Sequence, residues 1–169
     1  SSFLVTAKLA GIAYILAVAL GVVVGVVAAV NHGKWVDSVL MTISVFGISA
    51  PAFWIAIILQ IVICLKFNLL PLSGIDSFKS FILPGIALGT RYAASIARIT
   101  RTSMLDVLSQ DYIRTAEAKG LKGWVVTIKH ALRNALIPII TIAGSDLGNI
   151  LTGSVLVESV FSIPGIGKM

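Results

Sequence analysis

Two ionisable side chains interrupt runs that are otherwise apolar: Arg91, inside the run that begins at Phe81, and Asp146, inside the run that begins at Pro138. A charge near the middle of a bilayer costs about 2.5 to 3.5 kcal/mol on insertion scales, so each must face a partner or water and not lipid. Two readings follow from the residues alone. The pair lines a translocation path or bridges it, or it forms an internal salt bridge that only holds helices together.

Other candidate chemistry fails on spacing. GIGKM at the end resembles the tail of a phosphate-binding loop, yet the earlier glycine is missing and Met169 stands where Ser or Thr is required. His32 and His130 lie on different loops with no Cys or carboxylate at ligand spacing, which argues against a zinc site. Ser95, Asp146 and His130 fall at different membrane depths and make no hydrolytic set. The sequence therefore offers no nucleotide-binding, zinc or hydrolytic motif.

One more segment is set apart by its charge. DYIRTAEAKGLKGW, Asp111 to Trp124, holds five charged residues in a chain of mean hydropathy +1.02. Asp111 can cap a helix and Gly120 can end one, giving about ten residues. Tyr112, Ile113, Ala116 and Gly120 then share one face, with Arg114, Glu117 and Ala118 opposite. A small-residue face permits close approach by another protein, whereas a solvated loop that only enforces topology explains the charges equally well.

The elements that must position these residues are membrane helices. Apolar residues make up 57% of the 169 and charged ones 12%, about half the share usual in soluble domains. Leu9–Val30 and Ser38–Leu65 run 22 and 28 residues without a charge, against about 20 needed to span. Phe81 to Met104 and Pro138 to Phe161 complete four expected spans, at 9–30, 38–65, 81–104 and 138–161. In the first, Gly21, Gly25 and Ala29 recur at four-residue intervals, a face for close helix packing. In the second, GISAPAFW predicts a kink, with Gly47 and Pro51 either flexing or simply static.

Net charge is +6, but its placement points away from nucleic acid. Seven of the thirteen Lys and Arg lie between Arg98 and Arg133, which makes that segment cytoplasmic. The loop NHGKWVD falls on the same side and the loop LKFNLLPLSGIDSFK outside. Region 105–137 then forms a structured cytoplasmic loop. Within it Trp124, Ile128, Ala131, Leu132 and Ala135 are expected to form one apolar stripe, with Lys129, His130, Arg133 and Asn134 opposite. Both termini would lie outside without an initiator Met or signal peptide, which predicts a fragment of a longer chain. Cys64 is the single cysteine and reads as an apolar filler.

QDYIRTAEAKGLKGWVVTIKHALRNALIP resembles the cytoplasmic loop of binding-protein-dependent ABC transporter permeases, in particular the first permease subunit of dipeptide, oligopeptide and nickel importers. GISAPAFW, ARITRTSMLDVLSQDYIRTAEAKG and VLVESVFSIPGIGKM agree in order, so the resemblance covers nearly the whole chain. It implies an all-α polytopic membrane protein with the type I ABC importer transmembrane fold, four spans here of an expected six. It also implies a bacterial or archaeal plasma membrane and a coupling helix that meets an ATPase subunit through Arg114, Thr115, Ala116, Glu117, Ala118, Lys119, Gly120 and Leu121. Counting back from Gly120, the general Glu-Ala-Ala motif falls on Arg114, Thr115 and Ala116, so Ala116 and Gly120 match it and Glu117 does not. The implied partners are a second permease, two ATP-binding subunits, an external solute-binding protein and membrane lipid. ATP and Mg would be bound by the ATPase partner, and no cofactor by this chain. An ion-gradient-driven secondary transporter and a non-transporting scaffold are the competing readings.

Overall fold

A computed structural model describes residues 2–67, 69–71 and 78–168, and among them every regular element is helical. In chain order these are α1 (Ser2–Val30), α2 (Trp35–Ser49), α3 (Ala52–Lys66), α4 (Ile82–Leu108), α5 (Asp111–Ala118) and α6 (Gly123–Val160). The all-α expectation holds. Of the external loop read at 65–79, residues 68 and 72–77 lie outside the described residues.

The bundle is organised around α4, which packs along α1 and also meets α6, α2 and α3. The α1 seam is built from small residues. Leu9, Ala13, Ala17, Gly21, Gly25 and Ala29 are buried at four-residue steps, so one stripe of the helix faces α4. A methyl group on Gly21 would come within 2.7 Å of the Ala93 carbonyl oxygen, and one on Gly25 would overlap the Thr100 side chain. The backbones approach too closely there for any larger residue.

α1 and α6 are each long and apolar enough to cross a membrane, and α2 with α3, bent at 105°, makes a third if the pair is one span. α4 does not reach that apolarity, although its 27 residues extend about 40 Å. The other helices pack on it, and the charges Arg91, Arg98 and Arg101 border two cavities that it shares with α2 and α6. An interior helix can thus carry charges that a lipid-facing one could not.

The run 38–65 is not one helix but two, whose axes meet at 105°. Pro51 has no N–H and disfavours the helical region for the residue before it, so α2 stops at Ser49 and Ala50 is extended (φ −77°, ψ 129°). Pro51 is extended as well, and its carbonyl accepts from the Trp54 and Ile55 amides to start α3. The turn is a corner rather than the kink expected from the sequence. Gly47 lies inside α2, where an added methyl would sit 3.1 Å from the Ala94 Cβ. Gly47 is packed closely on α4, and the bend itself falls at Ala50 and Pro51.

Past α6 the chain is tied back. Ser162 takes φ 52°, and its N–H and that of Ile163 reach the carbonyls of Ser159 and Glu158, closing the helix in the manner usually left to glycine. The fully buried Glu158 accepts from Thr6 Oγ1 at 2.6 Å, Ser154 Oγ at 3.1 Å and the Gly167 amide at 3.1 Å. Gly165 lies so close that a methyl on it would overlap the Glu158 carboxylate. The glycines of PGIG therefore serve packing.

Candidate functional site

α5 is eight residues long and begins at Asp111, with Gln110 in the capping position and no side chain bonding the free amides. The expected Asp111 cap is thus displaced: its carboxylate belongs to the first turn, 3.8 Å from Arg114 on a fully solvated face. At the other end Gly120 adopts φ 76°, its N–H reaches the Glu117 carbonyl and the Leu121 N–H reaches Ala116. Glycine suits that left-handed position because it has no Cβ.

Of the α5 face that the sequence offered for docking, Ile113 and Ala116 point inward, whereas Tyr112 and Gly120 are exposed. Ile113 and Ala116 are 2% and 6% exposed and join one apolar cluster with Val126, Ala131 and Ala135 of α6. The Asn134 amide donates to the Tyr112 hydroxyl at 2.9 Å. Ala116, expected at the ATPase-subunit interface, is thus packed on the start of α6. Arg114, Thr115, Glu117, Ala118, Lys119, Gly120 and Leu121 form the exposed side. The reason is local: a two-turn helix has one apolar stripe, and its own chain covers it.

α6 opens with a π-helical stretch, Val126–Leu132. The buried positions step from Val126 to Ala131 by five residues and then to Ala135 and Ile139 by four. The wider turn rotates the register. Of the expected apolar stripe, Ala131 and Ala135 are buried, whereas Trp124 and Ile128 are 68% and 50% exposed. Pro138 sits inside the helix without ending it.

Arg91 and Asp146, from α4 and α6, line one cavity of about 540 Å3 together with Tyr92, Ser95 and Asn149, and Ile48 of α2 closes a wall. They share the space without pairing: among the described residues the ion pairs are His32–Asp37, Arg101–Asp37 and Arg114–Asp111. The internal Arg91–Asp146 salt bridge is absent from this arrangement. Asp146 Oδ2 is buried and has no hydrogen-bond partner. Toward the other end of α4 a second cavity of about 420 Å3 is lined by Asp37, Arg98, Arg101 and Thr102.

Asp37 and Arg101 were not singled out by the sequence, yet they make the tightest charged contact described. Arg101 Nε and Nη2 reach the two Asp37 oxygens at 2.6 and 2.7 Å, and the Gly33 amide donates to Asp37 at 3.1 Å. His32 Nδ1 lies 3.2 Å from Asp37 and 3.0 Å from Arg101. The loop 31–37 is thereby clamped to the α4 end that leads into α5. Both charges were visible in the sequence; their meeting across 64 positions was not.

Residues 21–169 match the family described as binding-protein-dependent transport system inner membrane component. Over all 169 residues the chain is 45% identical to the glutathione transport system permease proteins GsiC of Escherichia coli K12 and of Salmonella typhi, covering 55% of each. The chain thus spans about half the length of the curated relatives it matches. In three dimensions it is similar to the crystal structure of an amino acid ABC transporter with histidines. The TM-score is 0.73 over 99% of this chain and 73% of that one, at 18% identity, a likeness of fold.

Proposed function

Because this chain belongs to the family of binding-protein-dependent transport system inner membrane components, we propose that it forms part of a permease subunit of an ATP-driven ABC importer for peptides or nickel complexes. The glutathione systems named in its relatives favour a peptide-like solute. The assembly pairs it with a second permease, two ATP-binding subunits that hold ATP and Mg, and an external solute-binding protein. Its place is the inner membrane, and the chemistry of ATP belongs to the partner chains.

The observation that carries this reading is the two-sidedness of α5. Its inner face is packed on the start of α6 and tied to it by Asn134 and Tyr112, while its outer face is free. A partner that engages Arg114, Thr115, Glu117, Ala118, Lys119, Gly120 and Leu121 can therefore move α5 and α6 as a unit. α6 carries Asp146 into the cavity opposite Arg91. ATP-dependent closure of the partner subunits is transmitted through α5 to the walls of this cavity, which serves as a section of the translocation path.

Cysteine crosslinking in the assembled transporter tests the contact. Ala118→Cys is expected to crosslink to the ATPase subunit in an ATP-dependent manner, and the buried Ala116→Cys and the remote Lys34→Cys are not. Crosslinking at Lys34 with none at Ala118 places the ATPase contact elsewhere.

A further inference from the structure

We propose that the cavity between α4 and α6 is a site for a zwitterionic solute, in which Arg91 binds the carboxylate and Asp146 the ammonium group. This rests on the reading of the chain as an importer subunit and adds the charge pattern of what passes through it.

Opposite charges that border one cavity and serve only structure would be expected to close on each other, since contact offsets the penalty of leaving water. Arg91 and Asp146 instead stand apart on different helices, with about 540 Å3 of space beside them. One Asp146 oxygen is buried with no hydrogen-bond partner, and buried polar atoms in folded proteins are nearly always satisfied. A ligand ammonium supplies the missing donor. The Arg91 guanidinium offers a planar set of donors matched to a carboxylate. Ser95 of α4, which lines the same cavity, suits the amide groups that lie between such ends. The volume is within the range of small-ligand sites, about 300 to 1,000 Å3.

The second cavity sharpens the assignment. Arg91, Ser95, Arg98 and Thr102 follow one another along one face of α4, and Arg98 has no ion-pair partner among the described residues. The acid that borders this second space, Asp37, is already held by Arg101. Both cavities thus offer a cation to a carboxylate, but only the one between α4 and α6 offers an acid that keeps an unpartnered oxygen, Asp146 Oδ2, beside its hydrogen bond with Asn149. Recognition of an ammonium group is therefore confined to Asp146.

Binding of trialanine, N-acetyl-trialanine and trialanine amide to the complete transporter in nanodiscs, without its solute-binding protein, tests the proposal. The wild type is expected to bind trialanine about tenfold more tightly than either blocked peptide. Asp146→Asn should erase the preference for the free amine alone, and Arg91→Gln the preference for the free carboxylate alone. Asp146→Glu, which keeps the charge, should keep the amine preference. No binding of trialanine by the wild type, no preference among the three, or equal weakening of all three by each variant overturns the site. The Ala118 crosslink reads the importer assignment independently, so the two can fail separately.

Discussion

Asp37 accepts two hydrogen bonds from Arg101 and one from the Gly33 amide, and only 5% of its side chain meets solvent. Its removal strands a guanidinium that is itself largely covered. Asp37→Ala is expected to lower stability by about 2 kcal/mol, between the value of an exposed pair and that of a fully buried one. Thermal unfolding in detergent measures this, and the Asp37→Ala, Arg101→Met double variant should lose less than the two single losses added. Additive losses would mean that the two side chains are not coupled. Asp37 and Glu158 share a lesson about legibility. Each is a buried acid held in part by a partner remote in sequence, Arg101 and Thr6, whereas Glu117, the conspicuous acid of the quoted motif, is solvated. Residue type and spacing announce a charge, but they do not say whether the fold will bury it.

At the scale of elements, the α1 and α4 seam was read correctly from small residues at four-residue intervals, because helical period alone decides which positions share a face. Gly25→Ala is expected to destabilise by about 1 to 3 kcal/mol, since the new methyl meets Thr100 and the Ala97 carbonyl. Gly11→Ala, where nothing lies within 4 Å, should be neutral or stabilise by up to about 1 kcal/mol through helix propensity. Comparing the melting temperatures of these two variants checks the seam, and equal shifts would contradict it. Along α6 the π-helical stretch from Val126 to Leu132 turns more slowly than 3.6 residues per turn, so the buried positions Val126, Ala131 and Ala135 step by five and then four residues, while Trp124 and Ile128 stay exposed. Pro51 announced a break by removing a backbone donor, but its size, 105°, is set by what α2 and α3 pack against.

For the molecule as a whole, the importer reading predicts the energy source. Reconstituted with its partners, the transporter is expected to take up solute only with hydrolysable ATP, and a protonophore should leave uptake unchanged. Uptake in vesicles that depends on a proton or potential gradient, and proceeds without ATP, would favour the gradient-driven alternative. No flux with every partner present would favour the scaffold.

Membrane class, the family and the small-residue seam on α1 were all determined by the sequence. Composition, charge placement, motif order and helical period are local or additive quantities, and a linear chain carries them in full. Tertiary structure alone decided that Ala116 turns inward, that Asp37 meets Arg101, and that Arg91 and Asp146 face one cavity without pairing. Those outcomes depend on how far apart helices settle when their side chains interlock. That separation is a property of all the packed faces together, and no single segment encodes it.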